Sequence, residues 1–327
     1  MHLSPPVEPM LARSVIAIPA SVRRPTVYEQ KADGFRCLVF ARPEPFLQSR
    51  RGANLTQSFP ELARVASALG VEAVLDSELV VWGTQGLDFL ALQNRARRRG
   101  AGAERAARER PAHLIVFDVL ELAGDVLMDE PLRHRRAALE RLFAARRLAA
   151  PWALCPQTTD LATAQAWMDP VWGAAGIEGV MIKDADSRYR PGERGWLKLR
   201  TRTTDEGIIG AVTGTAHAPT SLLLGRLDVA DRLKLVARTT PLPRKAAAEL
   251  GAVLHAAGPE HPWWGWRISA GWGSKEPLVF QPVIPELVAE VDTDTAVDLG
   301  RHRHPVRYLR LRADLTPAEI PLFGEHA

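Results

Sequence analysis

Residues 29–36 read Glu-Gln-Lys-Ala-Asp-Gly-Phe-Arg, and a short apolar run that is typical of a β-strand follows at residues 37–40. Lys31 can act as a nucleophile if nearby cations and desolvation keep part of its amine uncharged. Asp33 is placed to orient that amine, and Gly34 would let the backbone approach a phosphate closely. Taken alone the pattern is weak, because a lysine in a turn at a strand end has the same sequence.

Lysine is scarce in this chain. Of its 42 basic residues, 6 are lysine and 36 are arginine. Arginine does not deprotonate in proteins, whereas lysine can. We therefore expect Lys31 to serve chemistry that a guanidinium group cannot perform.

The composition is that of an ordinary globular protein, with 46% hydrophobic and 24% charged residues over 327 positions, a length that suits two domains. A net charge of +4 is compatible with a polyanionic partner without requiring one. No apolar run approaches the roughly 18 residues of a membrane helix, and the N-terminus lacks the pattern of a secretory signal. Two cysteines, Cys37 and Cys155, form neither a disulfide framework nor a zinc motif. We expect a reduced, cytoplasmic protein without structural zinc.

The residue pattern predicts one domain at residues 1–202 and a second at residues 203–327. The first 26 residues are rich in proline and are expected to be extended. Beyond them, apolar runs and apolar spacings of three and four predict strands at residues 74–82, 114–120 and 179–182 and helices at residues 59–69 and 132–148.

After residue 203 the sequence is richer in valine, threonine and glycine. It predicts one helix at residues 245–255 and five strands, at residues 207–213, 222–229, 233–237, 266–270 and 278–283. Five strands and one helix fit an oligonucleotide/oligosaccharide-binding (OB) barrel. Residues 201–205 are the candidate hinge.

Two acids stand close together on the predicted strand at residues 74–82. With a strand period of two, Asp76 and Glu78 share one face. Leu75, Leu79 and Val81 share the other. The acids would repel each other unless a metal cation or a basic residue lies between them, so both a functional site and a structural ion pair remain open.

The strand predicted at residues 114–120 carries Phe117 and Asp118 in an otherwise apolar run. Phe117 could stack on a purine, although most such residues belong to the core. Asp118 is expected to pair with an arginine more often than to take part in chemistry.

Two basic elements follow. Residues 178–183 begin with an acid beside a glycine and end with a lysine. In the run at residues 196–200, Trp196, Lys198 and Arg200 share one strand face and the two leucines between them share the other. Two neighbouring cations make a phosphate clamp, although a solvated strand face is the more common outcome.

The order of these motifs is more informative than any one of them: Lys-x-Asp-Gly-x-Arg at residues 31–36, Ser-Arg-x-Gly at 49–52, Asp-x-Glu at 76–78, Phe-Asp at 117–118, Glu-Gly-x-x-x-Lys at 178–183 and Lys-x-Arg at 198–200. With this series the chain resembles the covalent nucleotidyltransferases and, within them, the short ATP-dependent DNA ligases of bacteria. Residues 5–12 and 89–93 are also similar to that bacterial group. The resemblance covers essentially the whole chain.

The resemblance implies an α+β fold in which a nucleotidyltransferase (adenylation) domain with mixed and antiparallel sheets precedes an OB-fold barrel. It implies that Lys31 is the adenylated nucleophile, that Glu29 reads the adenine edge and that Phe117 stacks on adenine. Asp33 belongs to the same ATP- and AMP-binding set.

The resemblance also assigns the charged residues around the nucleotide. Arg36 and Arg50 match arginines near the ribose, the phosphates or the nick. Glu78 matches an acid near the ribose and the metal, and Glu178 a magnesium-associated acid. The lysines expected to contact the α-phosphate, and the arginine that stands where many relatives carry a second lysine, are Lys183, Lys198 and Arg200.

The chain departs from the family pattern in two places. Ser77 replaces a glycine, which is expected to be harmless on a strand. The last motif is matched by Arg310, Arg312 and Asp314, with Leu315 at the lysine position. This motif is thought to orient the leaving pyrophosphate, so we expect self-adenylation to be slow or to rely on the two arginines.

Three further features bear on nucleic-acid binding. Residues 95–110 hold seven arginines, which fit either a phosphate-binding patch or a solvated helix or loop. Residues 301–307 are also basic, but His302 and His304 have no acid or cysteine nearby in sequence, so no metal site is expected there. Four tryptophans are expected to pack in the barrel core, in preference to stacking on bases: Trp263, Trp264, Trp266 and Trp272.

We therefore expect an ATP-dependent DNA ligase that uses ATP and Mg²⁺ (or Mn²⁺) to seal nicked duplex DNA through lysyl-AMP and adenylated-DNA intermediates. An RNA ligase or a GTP-dependent capping enzyme would share the lysine motif, and a non-catalytic nucleic-acid-binding protein would share the arginines. The expected setting is a monomer in the cytoplasm, associated with the nucleoid, in DNA repair, recombination or replication. We expect no additional N-terminal DNA-clamping domain, so a DNA-end-binding or repair protein is an expected partner.

Overall fold

The structure is a computed structural model that describes residues 2–19, 25–84, 86–269, 277–294 and 296–325. It divides into two compact units, Met1–Thr201 and Arg202–Ala327. Of the features predicted from the sequence, Trp272 and the end of the strand at residues 266–270 lie outside the described residues.

The described part of the first unit contains two sheets and six helices, together with a short 3-10 helix (Thr56–Ser58). Its helices are α1 (Pro60–Ser67), α2 (Phe89–Ala96), α3 (Gly100–Glu109), α4 (Leu132–Arg146), α5 (Leu161–Ala166) and α6 (Val171–Ala174). Its strands are β1 (Ala12–Ser14), β2 (Thr26–Ala32), β3 (Phe35–Ala41), β4 (Phe46–Ser49), β5 (Ala73–Val81), β6 (Ala112–Leu122), β7 (Asp125–Val126), β8 (Trp152–Leu154), β9 (Gln157–Thr158), β10 (Ile177–Asp184) and β11 (Trp196–Arg200).

The five-stranded sheet has the order β1-β11-β10-β2-β9. The six-stranded sheet has the order β4-β3-β5-β6-β7, with β8 paired to β6. Most pairs are antiparallel, and the β1–β11 and β6–β8 pairs are parallel. The chain crosses from one sheet to the other in the turn between β2 and β3, so Lys31 lies where the two sheets are joined.

Each face of the six-stranded sheet has its own core. One face packs through Leu75, Leu79 and Val81 of β5 against α1, α2 and α4, whose contributing residues include Leu62, Leu92 and Leu139. The opposite face packs through Leu38, Phe40 and Val74 against Tyr189 and Trp196. The predicted alternation of β5 is therefore confirmed, and it directs Asp76 and Glu78 to the face on the Trp196 side.

The predicted elements of this unit are found with small boundary changes. The helices predicted at residues 59–69 and 132–148 are α1 and α4, and α4 ends at Arg147 with a left-handed φ of 48°. The strands predicted at residues 74–82 and 114–120 are β5 and β6. Residues 1–26, predicted as extended, also contribute β1, whose pairing with β11 has no local sequence signal.

In the second unit, the residues that the structure describes form α7 (Arg244–Gly251) and ten strands. They are β12 (Arg202–Thr215), β13 (Ala218–Leu227), β14 (Leu233–Arg238), β15 (Ile268–Ser269), β16 (Pro277–Leu278), β17 (Gln281–Pro282), β18 (Val288–Asp294), β19 (Val297–Asp298), β20 (Arg301–His302) and β21 (Arg307–Leu311). The main sheet has the order β14-β13-β12-β18-β21, and a parallel bridge between Thr239 and Val306 joins its two ends. The sheet thereby closes into a five-stranded barrel. In chain order, α7 lies between its third strand, β14, and its fourth strand, β18.

Two of the five predicted barrel strands are wrong. The runs at residues 266–270 and 278–283 form only the short strands β15, β16 and β17. The fourth and fifth barrel strands are instead β18 and β21, in which charged residues interrupt the apolar pattern. Those charges are paired across the sheet, as Asp292 accepts hydrogen bonds from Arg202 and Arg307.

The candidate hinge is largely regular structure. Residues 202–205 pair with residues 291–294 of β18 and so belong to the barrel. Thr201 precedes them, with its N–H donating to the carbonyl of Glu178 at 3.0 Å.

Among the residues that the structure describes, none of the helices combines the length and apolar character needed to cross a membrane. Cys37 and Cys155 are both buried free thiols.

Candidate functional site

The turn between β2 and β3 sets the position of Lys31. Gly34 lies so close to β5 that a Cβ built on it would be 2.4 Å from the carbonyl oxygen of Leu79. The close approach that this glycine permits is therefore to the neighbouring strand. Any side chain here would push the turn, and with it Lys31, away from the six-stranded sheet.

Lys31 forms an ion pair with Glu178 of β10. The pairing of β2 and β10 shifts register between Ile177 and Val180, so Glu178 and Gly179 lie opposite the single residue Lys31. Gly179 has a φ of +140°, and a Cβ there would be 2.1 Å from the carbonyl oxygen of Leu199. This bulge aims the Glu178 carboxylate at the lysine amine.

The same carboxylate also faces a cation of β11. The Nε atom of Arg200 lies 3.5 Å from Oε1 of Glu178. The side chain of Lys31 is 19% exposed and that of Glu178 only 4% exposed. The amine is thus reachable from solvent, whereas its anionic partner is enclosed.

Glu78 lies beside this pair, opposite Arg36 in the β3–β5 register. Burial raises the pKa of the Glu78 carboxyl from its ordinary value of 4.5 to about 7, against the opposing charges of Lys31 and Arg36. The neighbouring acids Asp33 and Glu178 raise it further. Glu78 thus lies near two other carboxyl groups as well as near Lys31.

Glu29 and Lys183, predicted to contact different parts of a nucleotide, are each other's partner. Their side chains are almost completely buried and meet at 2.5 Å. Gln157 of β9 donates a hydrogen bond to the other oxygen of Glu29 at 2.8 Å. The sequence pattern did not single out Gln157, because β9 is only two residues long.

Arg36 is held by Asp76 through two hydrogen bonds of 2.5 and 2.6 Å. Tyr189 donates its hydroxyl to Asp76 at 2.7 Å and accepts the N–H of Met10 at 2.9 Å. The sequence left open whether Asp76 belongs to a functional site or to a structural ion pair. The structure shows that it forms an ion pair, with Arg36. Tyr189 and Met10 were missed, since they are distant in sequence from the strand that they support.

Phe117 lies at a β-bulge, because the β5–β6 register shifts between Asp118 and Val116. Its ring packs edge to face against Trp196, with centroids 6.1 Å apart. The guanidinium of Arg36 and the amine of Lys183 lie over this ring at 4.8 and 4.6 Å from its centroid. The adjoining Asp118 pairs with an arginine as expected, through two 2.8 Å hydrogen bonds from Arg135, and neither side chain is exposed.

Lys198 and Arg200 share the strand face of Trp196, whereas Leu197 and Leu199 pack on the other side of β11. The predicted alternation is confirmed. Burial lowers the pKa of Lys198, and the positive charges of Arg200, Lys31 and Arg50 lower it further. Arg50, on the exposed turn after β4, therefore belongs to the same cationic group.

The residues matched to the last motif form ion pairs within the second unit. Arg312 donates two hydrogen bonds to Asp314, at 2.9 and 2.8 Å, and these lower the pKa of Asp314 to about 2. Arg312 also donates to Glu206 at 3.0 Å, and Arg310 donates to Glu290 at 2.6 Å.

The sequence expectation for two other features of this unit was incomplete. His302 and His304 do have acidic neighbours in space, Asp205 at 3.0 Å and Asp294 at 2.8 Å. The tryptophans divide into two kinds. Trp263 is buried and donates to the carbonyl of Leu233 at 3.0 Å, whereas Trp264 and Trp266 are about half exposed.

The first unit thus places a partly exposed lysine beside buried carboxylates and near further cations, an arrangement that fits nucleotidyl transfer. A family model described as "ATP dependent DNA ligase domain" matches residues 9–200. The chain is 35% identical to DNA ligase C2 of Mycolicibacterium smegmatis, covering 95% of this chain and 91% of that protein. It is 33% identical to DNA ligase C of Mycobacterium tuberculosis, covering 97% and 93%.

The solved structure of mycobacterial DNA ligase D complexed with ATP and MES superposes with a TM-score of 0.53 at 29% identity, covering 97% of this chain and 98% of that one. The chain belongs to the family of ATP-dependent DNA ligases. The resemblance inferred from the ordered motifs, the α+β nucleotidyltransferase fold and the assignment as an ATP-dependent DNA ligase are confirmed.

Proposed function

We propose that this ligase seals nicks in duplex DNA and that Lys31 carries the AMP group between ATP and DNA. The observation that carries this proposal is the ion pair between the accessible Lys31 amine and the enclosed Glu178 carboxylate. The carboxylate is a hydrogen-bonded acceptor for a proton of the amine, and Lys198 and Arg200 lie close by to bind phosphate.

In the first step, Nζ of Lys31 forms a bond to the α-phosphorus of ATP while the bond to the bridging oxygen of the β-phosphate breaks. Pyrophosphate leaves with that oxygen, and the amine proton passes to Glu178 and on to solvent. In the second step, an oxygen of the 5′-phosphate at the nick forms a bond to the AMP phosphorus while the bond to Nζ of Lys31 breaks, and the amine takes up a proton. In the third step, the 3′-hydroxyl oxygen loses its proton and forms a bond to the phosphorus of the 5′-phosphate, and AMP leaves with the bridging oxygen. Positioning and charge stabilisation are the protein's main contributions to such transfers.

The adenine base of ATP would be held by Glu29 and the residues around it. Lys183 and Gln157 fix the Glu29 carboxylate, so that it presents a rigid acceptor to the adenine edge. Phe117 is packed against Trp196 and offers an apolar ring for stacking. Arg36, anchored by Asp76, lies beside this ring.

The side chains around Lys31 also fit Mg²⁺ or Mn²⁺. Carboxylate oxygens are the ligands that magnesium prefers, and Glu78, Glu178 and Asp33 supply them. Asp33 and Glu178 lie near enough to Glu78 to raise the pKa of its carboxyl, in addition to the larger effect of burial, so these acids could share one cation. A bound dication would neutralise the triphosphate and favour the departure of pyrophosphate.

The second unit would act as an OB-fold domain that engages first ATP and then DNA. Its strand order, its parallel closing bridge and its helix between the third and fourth strands support this proposal. Arg310, Arg312 and Asp314 would assist the release of pyrophosphate. We further propose a cytoplasmic, nucleoid-associated monomer that serves DNA repair together with a DNA-end-binding or repair protein.

The proposal is tested by incubating the protein with labelled ATP and magnesium and following the label into protein and into nicked DNA. Lys31→Ala should eliminate the covalent adenylate, whereas Lys245→Ala, at an exposed lysine on α7, should retain it. Mass spectrometry should locate the AMP on a peptide spanning residues 30–36. Label on another residue, or labelling by GTP in preference to ATP, would contradict the assignment.

A further inference from the structure

The arginine-rich segment at residues 95–110 contains two kinds of arginine. Three are fixed by the fold. Arg95 is buried and pairs with Glu61 at 2.6 Å, and Arg110 pairs with Asp88 at 2.9 Å. Arg99 donates to the hydroxyl of Ser58 and to the carbonyl of Ala96. These arginines hold α2, α3 and the preceding 3-10 helix together.

The other four are exposed, and no acidic side chain pairs with them anywhere in the described ranges. We call them the outer arginines: Arg97, Arg98, Arg105 and Arg108. The two nearest acids offset only part of this charge, because Glu104 is paired with Arg64 at 3.0 Å and Glu109 is a single exposed carboxylate for four arginines. The proposed DNA-sealing chemistry uses none of the four.

The local sequence explains why these side chains project outward. Ala103, Ala106 and Ala107 are buried, and their small side chains allow α3 to lie close against α1 and the 3-10 helix. Arg105 and Arg108 lie on the exposed face, one helical turn apart. Side chains three residues apart on a helix are neighbours, so these two guanidinium groups can meet adjacent charges on one ligand.

The outer arginines are separated from the Lys31 site by a sheet. Helix α1, on which α3 packs, covers the face of the six-stranded sheet that carries Leu75 and Leu79. Asp76 and Glu78, which belong to the Lys31 site, project from the opposite face. Arg105 and Arg108, on the exposed face of α3, therefore point away from a duplex that lies against the Lys31 side of the sheet.

We propose that the outer arginines bind the phosphate backbone of a second DNA segment, distinct from the one that holds the nick. Duplex DNA carries one negative charge per ~1.7 Å of axis, a density that suits neighbouring guanidinium groups such as those of Arg105 and Arg108. The guanidinium fork also binds phosphate oxygens in pairs. Such binding is sequence-independent, and it would let one ligase molecule bridge two duplexes or two stretches of one molecule.

The experiment compares three full-length proteins with the wild type: Arg105→Gln/Arg108→Gln, the control Arg141→Gln/Arg244→Gln and Lys31→Ala. The control removes the same charge from exposed arginines of α4 and α7, for which the described residues supply no ion-pair partner. An immobilised nicked duplex is incubated with each protein and with a labelled, unnicked second duplex, and the captured label is measured over a range of salt concentrations. Thermal midpoints verify that all four proteins are folded.

We expect the wild type, the control and Lys31→Ala to capture the second duplex. Arg105→Gln/Arg108→Gln should capture several-fold less, with a log–log salt slope smaller by about 2. It should still form the covalent adenylate and seal a short nicked duplex. Because Lys31→Ala should bridge DNA without forming an adenylate, failure of the proposed chemistry is distinguishable from failure of this inference.

Two outcomes would overturn the inference. One is capture by Arg105→Gln/Arg108→Gln equal to that of the control. The other is that the double substitution leaves DNA capture intact but abolishes binding of poly-glutamate, which would make this surface a docking site for an acidic protein.

Discussion

Glu78 illustrates at the residue scale how position in the fold alters chemistry. Its carboxyl has a pKa of about 7, chiefly because it is buried, whereas in the unfolded chain the value returns to about 4.5. Between these values the folded protein binds more protons than the unfolded protein at this residue, so its contribution to stability falls as the pH rises.

This predicts a pH-dependent effect of Glu78→Gln, a substitution that removes the ionisation. Relative to the wild type, the variant should become progressively more stable as the pH rises from about 4.5 to about 7. Urea unfolding at several pH values measures the difference. A stability difference that is constant over this range would mean that Glu78 ionises normally in the folded protein.

The same pKa predicts the pH dependence of the first chemical step. Without bound metal the carboxyl of Glu78 has a pKa of about 7, so protons and magnesium compete for it. At limiting magnesium the wild-type adenylation rate should therefore rise with pH through about 7, and saturating magnesium should move that rise to lower pH. Single-turnover formation of the labelled adenylate at saturating ATP isolates that step. In Glu78→Gln the rate should be low, and its rise near pH 7 should disappear.

Asp118 and Arg135 test whether a buried ion pair is structural. Neither side chain is exposed, and each is the hydrogen-bonded partner of the other. Asp118→Ala should lower the free energy of unfolding by about 3–5 kcal/mol, because it leaves a buried guanidinium without its carboxylate. Chemical denaturation measures this loss. The double variant Asp118→Leu/Arg135→Met should recover much of the lost unfolding free energy. If it recovers none, the pair stabilises the fold by more than offsetting the cost of burying its own two charges.

The sequence indicated many single residues of the site but few of their partners. The faces of Asp76 and Glu78, and of Lys198 and Arg200, followed from the two-residue period of a strand. The pairing of Glu29 with Lys183 could not be predicted in this way, because it joins strands about 150 residues apart in sequence. Tyr189 had no local signal, since its function is to support Asp76 through tertiary contacts.

At the scale of secondary-structure elements, the β2–β3 turn controls where the nucleophile lies. Gly34→Ala would place a methyl group 2.4 Å from the carbonyl oxygen of Leu79. We expect a loss of about 1–3 kcal/mol in unfolding free energy from this overpacking, and slower adenylation because Lys31 is displaced from Glu178. Denaturation and single-turnover labelling measure the two effects.

Gly102→Ala is the matched control, since it lies within α3 and nothing is within 4 Å of a Cβ built there. It should leave adenylation unchanged and add about 0.5–1 kcal/mol of stability by reducing the entropy of the unfolded chain. If both substitutions affected adenylation equally, the position of the turn would not be the cause.

Boundaries of most elements in the first unit followed from periodicity, whereas irregular pairing did not. The bulges at Phe117 and at Glu178–Gly179 depend on how two strands align, and one strand's sequence does not specify the register of its neighbour. The barrel strands β18 and β21 were missed for a related reason. Their charges are compensated across the sheet, so neither strand has the apolar pattern expected of a buried element.

At the scale of the whole molecule, the proposed chemistry is divided between two units with separate cores. Lys31 and its partners belong to the first unit, and Arg310, Arg312 and Asp314 belong to the second. If the last three residues assist only the departure of pyrophosphate, they are needed to charge the enzyme but not to join DNA. The two activities should then be separable by a single substitution.

Arg310→Ala is the substitution that makes this separation testable. Arg310 is 65% exposed and pairs only with Glu290 among the described side chains, so its removal should not unfold the barrel. We expect lysyl-AMP formation from ATP to slow by roughly a hundredfold, as when one donor to a developing negative charge is removed. Sealing of a nick whose 5′-phosphate already carries AMP should proceed at the wild-type rate, because no pyrophosphate is released in that reaction. Arg244→Ala, at an exposed arginine of α7, serves as the control for both assays. Equal slowing of the two reactions by Arg310→Ala would show that this arginine serves DNA joining as well, and would remove the proposed division between the units.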